Sequence, residues 1–484
     1  MRCSVIIPCW NGKELTQHCL ASLRDQAGQH DLEILLVDNA SSDGTHELAA
    51  TDARIRVLRQ DHNRGFAGGV NRGLLAATRP FVLILNNDTR AAPNLLQELE
   101  RALSSDSRLG AVAPVSNHVK GPARIAVGQG PRDAAERQRL AQQLATEPVP
   151  LQDVETLAGL CLLLPRAAVD HIGLLDERFG AGNYEDDDYC LRLRLHGYRL
   201  AIARRAFLFH EGHATFHALG IDLPTELRRR RQAFIAKWRS DPAGRALLAS
   251  WDGDLATAGA AASAARLRWP QWPDADWHLA RAAAVDGDHA AAANHCRALL
   301  RHSPRHADAA LELGVQLQAL GQADLAERQL VWALDHCVGN AHYFANLLLR
   351  LGELAFARAD FERAAAQFRA ATELRPELGL LHHHLAVTLL RQGDWAAAEL
   401  ACSAAIERGV PLAQSHRGLC RLRRGDLRGA VNDCLAAVTQ LPDNAIAAQN
   451  LLALRQELEQ QRTAPRQASA GRTASPAPAG ATSG

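Results

Sequence analysis

The run Phe81-Val82-Leu83-Ile84-Leu85 constrains this chain more than any other stretch, because it breaks off at once into Asn86-Asn87-Asp88-Thr89. Five apolar residues are too few for an independent helix and read as a strand buried on both faces, as in a parallel sheet. Open parallel sheets place ligands outside the carboxyl ends of their strands. Asp88 is therefore expected at the mouth of a crevice, where a carboxylate holds a divalent cation and the cation holds a diphosphate. The competing reading is an Asp-Thr turn that only ends a strand and opens a helix.

Three earlier runs have the same punctuation. Ser4–Pro8 ends in Cys9-Trp10-Asn11-Gly12, Glu33–Val37 ends in Asp38-Asn39-Ala40-Ser41-Ser42-Asp43-Gly44, and Ile55–Leu58 leads to the glycine-rich segment Asn63–Gly73. Helical patterns separate them, which predicts a doubly wound α/β domain with a mostly parallel sheet.

From Asp274 the chain turns to alanine-rich helices of period 3.6, and an internal repeat appears. Ala292, Ala326, Ala364, Ala398 and Ala430 recur at intervals of 34, 38, 34 and 32, with turn glycines at 287, 321, 393 and 425. Pro304, Pro376 and Pro442 fall at one phase. The spacing resembles tetratricopeptide repeats, in which a small residue lets paired helices cross closely. The expected division is a catalytic domain over 1–240, a linker over 241–273, repeats with a capping helix over 274–461, and a disordered Ala/Pro/Ser/Gly-rich tail over 462–484.

With 54 basic and 53 acidic residues the net charge is +1, so no global field points to nucleic acid or membrane. The ten cysteines are scattered without a Cys-x-x-Cys pair, as suits free thiols in a reducing compartment. Met1-Arg2-Cys3-Ser4 lacks the layout of a signal peptide, and the apolar run Leu157–Leu164 is too short to cross a bilayer. The expected setting is cytoplasmic, with at most peripheral association at the inner face of a membrane. Pro224–Trp238 contains Arg228-Arg229-Arg230-Arg231 with Leu227, Phe234, Ile235 and Trp238 on one side. That amphipathic helix either touches anionic lipid or, the favoured reading, packs its apolar side on the catalytic domain.

Seven pieces in order resemble the family 2 glycosyltransferases of the nucleotide-sugar-binding GT-A fold, especially their rhamnosyltransferase-like branch. They are Val5-Ile6-Ile7-Pro8-x-x-Asn11, Val37-Asp38-Asn39 with Ser41–Thr45, Asn63-x-Gly65-Phe66-Ala67-x-Gly69-x-Asn71-x-Gly73, Leu85-Asn86-x-Asp88-Thr89, Gly173-x-x-Asp176-Glu177-x-Phe179, Glu185-Asp186-x-Asp188-x-x-x-Arg192, and His210. The resemblance implies a nucleotide-sugar site built from Pro8, Asn11, Asp38, Asn39, Asn63, Gly65, Gly69, Asn71 and Asn87. Asp38 is suited to the imide N–H of a uracil or thymine ring, and Gly65, Gly68 and Gly69 either let backbone N–H groups approach phosphate or let a helix pack closely on a strand. Asp88 is the implied ligand for Mg²⁺ or Mn²⁺, although the family's first motif acid is Asn86 here. His210 completes the metal site, with His213 as competitor.

Within Glu185-Asp186-Asp187-Asp188 the resemblance makes Asp186 the base for an acceptor hydroxyl, its pKa raised by crowding of like charges. Glu185 then contacts the acceptor, and Asp188 pairs with Arg192 four residues on to hold the loop. The implied function is inverting, metal-dependent transfer of a sugar from a UDP- or dTDP-linked donor to a glycan hydroxyl in cell-surface polysaccharide synthesis. The repeats then dock a protein partner. One alternative is a protein O-glycosyltransferase whose repeats bind the polypeptide acceptor; another is a catalytically weak adaptor. A dinucleotide-dependent oxidoreductase is excluded by the missing G-x-G-x-x-G turn after the first strand.

Overall fold

The computed structural model describes residues 1–24, 26, 28–127, 133–180, 182–212 and 222–463. The tail expected to be disordered lies, but for its first two residues, outside them, as does His213. Among the described residues nine strands form one sheet: β1 (Arg2–Cys9), β2 (Asp31–Asp38), β3 (Ile55–Arg59), β4 (Phe81–Leu85), β5 (Thr89–Ala91), β6 (Leu109–Ser116), β7 (Leu151–Asp153), β8 (Cys161–Pro165) and β9 (Arg199–His210). Their order is β3-β2-β1-β4-β8-β6-β9-β5, with β7 also on β9.

The first four strands are mutually parallel, and β6 is parallel to β9. β8 runs against both β4 and β6, and β5 and β7 run against β9. The sheet is therefore mixed, with its parallel half at one end, where a mostly parallel sheet was expected. A central strand such as Cys161–Pro165 is apolar throughout whichever way it runs, so the pattern does not disclose its direction.

Alternate residues of each strand face opposite layers. Val5 and Ile7 join a core with Cys19, Leu20 and Leu23 of α1 (Lys13–Arg24) and Leu95, Leu96 and Leu99 of α3 (Leu95–Ser104). Ile6 and Ile84 face the other layer, against Val70 and Leu74 of α2 (Gly65–Ala76) and Cys190 and Leu193 of α6 (Glu185–Leu195). Register pairs Cys9 with Asp38 and Ile6 with Ile84, so β1, β2 and β4 end along one edge. Two further helices, α4 (Ala134–Leu144) and α5 (Arg166–Ile172), complete the layers.

The stretch 241–273, expected as a linker, is helical and packed. Helix α7 (Leu223–Trp238) is followed by α8 (Pro242–Trp251), α9 (Leu255–Arg268) and α10 (Asp274–Val285). Phe234 and Trp238 share a core with Phe179, Leu191 and Leu195 of the α/β layers and with Ala243, Ala246, Ala262, Ala265 and Trp272. Small residues explain the close helix contacts: a Cβ on Gly259 would lie 2.5 Å from that of Ala282, and one on Gly244 2.1 Å from the Trp238 carbonyl oxygen. Arg194 of α6 bonds Asp274, whose other donor is the Trp272 indole. The apolar side of α7 faces inward as favoured above, although Arg230 of its arginine run is buried too.

The chain comprises two compact units, 1–347 and 348–484. The first contains two helix pairs of the repeat, α10 with α11 (His289–His302) and α12 (Ala307–Ala319) with α13 (Ala323–His336). Helix α14 (Ala341–Ala357) spans the division. The second unit holds α15 (Phe361–Leu374), α16 (Gly379–Gln392), α17 (Trp395–Glu407), α18 (Leu412–Arg423), α19 (Leu427–Gln440) and α20 (Ala445–Thr463). All five repeat alanines are fully buried. Asp288, Asp360, Asp394 and Asp426 each accept a backbone N–H three residues on, capping the second helix of their pairs. Among the described residues no helix is long and apolar enough to cross a membrane.

Candidate active site

The aligned strand ends open into a cavity of about 780 Å³. Pro8, Asn39, Asn63, Gly65, Asn87, Asp88, Glu185, Asp186 and His210 all line it, so most of the residues singled out from the sequence come together.

Asp88 follows β4, and the short strand β5 sets Thr89 opposite His210 on β9. This pairing carries His210 Nε2 to 3.3 Å from Asp88 Oδ2. The His118 carbonyl oxygen lies 2.7 Å from His210 Nδ1; it can only accept, so Nδ1 holds the proton and Nε2 faces Asp88. Burial pushes the imidazole pKa down, but the Asp88 carboxylate and the His118 carbonyl push it up further, above its ordinary value. Asp88 Oδ1 is buried and has no hydrogen-bond partner among the described residues, and the same holds for Asn86 Oδ1. Asn87 is held by its amide donating to Thr16 Oγ1 at 3.0 Å.

The donor-side residues divide into two groups. Asn63 Oδ1 accepts the Gly65 N–H at 2.8 Å, Gly65 has φ +72°, and Asn39 donates to the Gly65 carbonyl. Gly68 and Gly69 lie inside α2 and not in a loop before it. A Cβ on Gly69 would come within 3.0 Å of Asn39 and Pro8, and one on Gly73 within 2.3 Å of Ile6. Close helix–strand packing thus accounts for Gly69 and Gly73.

Asn71 is turned away from the cavity: its amide donates to Leu175 O and Glu177 Oε1, and its Oδ1 accepts the Leu175 N–H. Asn11, with φ +56°, accepts the Ser42 N–H and ties the first loop to the second. Asp38 is fully buried behind the lining residue Asn39. Its Oδ1 accepts the Ser41 N–H, and its Oδ2 lies 3.6 Å from Arg59. Asp43 accepts the Thr45 N–H and so caps the short helical turn that follows.

The acids open helix α6. Just before it Asn183 and Tyr184 have φ +75° and +71°, two successive left-handed residues with side chains, a strained turn that aims the next residues at the cavity. Asp186 Oδ2 accepts the Gly159 N–H at 2.9 Å and Oδ1 the Asp187 N–H at 3.0 Å. Burial raises the Asp186 pKa, and those N–H groups oppose it. The expected cause, crowding by like charge, acts instead on its neighbours: burial first and then the Asp186 charge push Glu185 up to about 8 and Asp187 to about 7. A carboxylate beside a second carboxylate in a poorly solvated place holds its proton to higher pH.

Asp188 points away from the cavity and is fully buried. It accepts from Arg192 Nε at 2.9 Å, from Lys237 Nζ at 2.5 Å and from the Trp238 indole at 2.9 Å. Lys237 also reaches Asp176 at 2.8 Å. Sequence reasoning missed Lys237, Trp238, Gly159 and His118. The sequence pattern gives Trp238 an apolar packing role only, and nothing in it marks the Gly159 N–H or the His118 carbonyl.

The Glycosyl transferase family 2 profile matches residues 4–172, and tetratricopeptide repeat profiles match 344–409 and 383–445. The N-acetylglucosaminyl-diphospho-decaprenol L-rhamnosyltransferase of Mycobacterium tuberculosis is 30% identical over 228 residues, covering 40% of this chain and 72% of that protein. The glycosyltransferase YfnE of Bacillus subtilis is 32% identical over 112 residues, 22% of this chain and 29% of the relative. The succinoglycan biosynthesis protein ExoO of Rhizobium meliloti is 29% identical over 107 residues, 22% and 30% respectively. The chain thus spans about a third of the length of these last two. A solved structure of GalNAc-T7 with UDP, GalNAc and Mn²⁺ aligns at a TM-score of 0.35 and 14% identity, over 43% of this chain and 44% of that one. At that score the likeness carries no argument. The family profile, the two-thirds coverage of the rhamnosyltransferase and the repeat matches agree in placing the N-terminal part: the chain belongs to glycosyl transferase family 2, with tetratricopeptide repeats following.

Proposed function

We propose that this chain transfers a sugar from a nucleotide-diphosphate donor, UDP- or dTDP-linked, to a hydroxyl of a glycan acceptor, with inversion at the anomeric carbon. The observation that carries this reading is one cavity holding Asp88 beside His210 and, from a separate element, Asp186. The acceptor oxygen bonds to the anomeric carbon, the bond from that carbon to the diphosphate breaks, and Asp186 takes the hydroxyl proton. The nucleoside diphosphate departs. Gly159 N–H fixes the Asp186 carboxylate in position for this.

Asp88 and His210 supply two of the donors a divalent cation needs, with no third His, Cys, Asp or Glu grouped with them among the described residues, so the diphosphate would complete the site. A buried carboxylate oxygen without a partner among the described residues, next to an imidazole nitrogen, is a donor set suited to Mg²⁺ or Mn²⁺. Asp88 and His210 would hold it, and it would supply Lewis-acid stabilisation of the leaving diphosphate. The glycan acceptor is supported by the relatives named for succinoglycan and for a glycosyl-diphospho-lipid. The repeats serve a protein partner, since stacked helix pairs expose extended surface.

A screen of UDP- and dTDP-sugars, including rhamnosyl donors, with Mg²⁺ or Mn²⁺ tests the proposal. Metal-dependent hydrolysis of one donor is expected; no binding of any nucleotide sugar under either metal contradicts it.

A further inference from the structure

Helix α7 borders a second cavity, of about 400 Å³, lined by Arg178, Gly180, Asp222, Glu226, Arg229 and Arg230 among others. Arg230 is the informative residue. It is only 5% exposed, it gives one N–H to Glu226 at 3.1 Å, and its Nη1 is buried with no hydrogen-bond partner among the described residues. A buried guanidinium with an idle fork is costly unless an acceptor meets it.

The surrounding carboxylates are already shared. Glu226 serves Arg230 and, at 3.6 Å, Arg229; Asp176 serves Arg178 and Lys237; Asp188 serves Lys237 and Arg192. Five cationic side chains therefore divide three carboxylates between them; Asp222 also borders the cavity, and Glu185, within electrostatic reach of Arg230, is pushed up to about 8 and so carries little charge below that pH. Guanidinium groups converging on a cavity with spare N–H donors match the oxygens of a phosphate group.

The geometry points to a phosphate-binding site formed by Arg178, Arg229 and Arg230. Its place suggests whose phosphate it takes, a step that rests on the transferase reading: Leu227, one residue after Glu226, lines the catalytic cavity. The phosphate belongs to the acceptor molecule or to the headgroup of an anionic phospholipid beside which the acceptor is presented. The site also gives the arginine run a role beyond solvation.

The test uses the full chain and two probes. Inorganic pyrophosphate is titrated calorimetrically in EDTA, which removes cation-dependent binding at Asp88, and the chain is floated with vesicles of phosphatidylcholine containing phosphatidylglycerol. The double variant Arg178→Gln, Arg229→Gln is compared with the unaltered chain, and thermal melting verifies that it is folded. Affinity is expected to fall about tenfold or more in at least one arm. A loss confined to pyrophosphate assigns the acceptor's own phosphate, and a loss of flotation assigns the headgroup. Binding by the unaltered chain in neither arm, or binding indifferent to both substitutions, overturns the site. Donor hydrolysis by the unaltered chain reports on the transferase reading separately.

Discussion

The Trp238 indole donates to Asp188 at 2.9 Å, joining the last turn of α7 to the first turn of the helix that carries Asp186. Asp188 is fully buried, so its charge depends on the three donors around it. Trp238→Phe keeps most of the packing but leaves one buried carboxylate oxygen short of a donor. We expect a loss of about 1–3 kcal/mol in stability and a fall in kcat larger than any change in donor affinity. Denaturant unfolding and donor titration measure the two. Unchanged kcat in a folded variant would separate this contact from catalysis.

Glu185 gives a pH dependence of stability. Its folded pKa of about 8 lies above the ordinary 4.5, so between those values the folded chain keeps a proton that the unfolded chain has lost. Stability therefore falls as pH rises from 4.5 through 8 and levels off above. Glu185→Gln should flatten that part of the profile, read from melting temperature against pH.

The rate should depend on pH in the opposite sense. The base works only when ionised, so kcat/KM is expected to rise with pH, with inflections that belong to the Glu185–Asp186–Asp187 cluster as a whole. Glu185→Gln takes one titrating group out of that coupled cluster and should shift the rise to lower pH. An unchanged pH of the rise would show that the group doing the work does not feel Glu185.

Residues 242–268 are expected to be needed for folding. Phe234, Trp238 and Phe179 share their core with Ala243, Ala262 and Trp272. A chain ending at residue 240 should aggregate or melt at much lower temperature than one ending after α11. Equal melting temperatures would refute this.

Much of this arrangement was legible. The strand ends at Pro8, Asp38 and Asp88 and the acid run at 185–188 located one edge of the sheet, because a buried strand and its polar stop are both written locally. The mixed direction of the sheet was not legible, since Cys161–Pro165 is apolar whichever way it runs. Nor was the packing of α8 and α9, because an alanine-rich stretch reads alike whether it buries a core or spaces two domains. The motifs put Asn71 and Asp38 in the cavity; their partners, Leu175, Glu177 and Ser41, are set by tertiary folding that no motif records. His210 reached Asp88 through β5, three residues long and invisible to periodicity.

The repeats carry one local defect. At the turn between paired helices φ is +76° at Gly287, +71° at Gly321, +79° at Gly393 and +87° at Gly425, but the same turn in the middle pair has Ala359 at +60°. A Cβ in that region costs about 1 kcal/mol. Ala359→Gly should stabilise the second unit by about that amount in chemical denaturation; destabilisation would contradict the account of the turn.

The proposed mechanism has Asp186 act on the acceptor while Asp88 holds the donor end. It is tested most directly by measuring donor binding and kcat side by side in Asp186→Asn, an isosteric change. The account predicts donor affinity within about twofold of the unaltered chain and a kcat reduced by at least about 100-fold. Near-normal turnover in Asp186→Asn would contradict it.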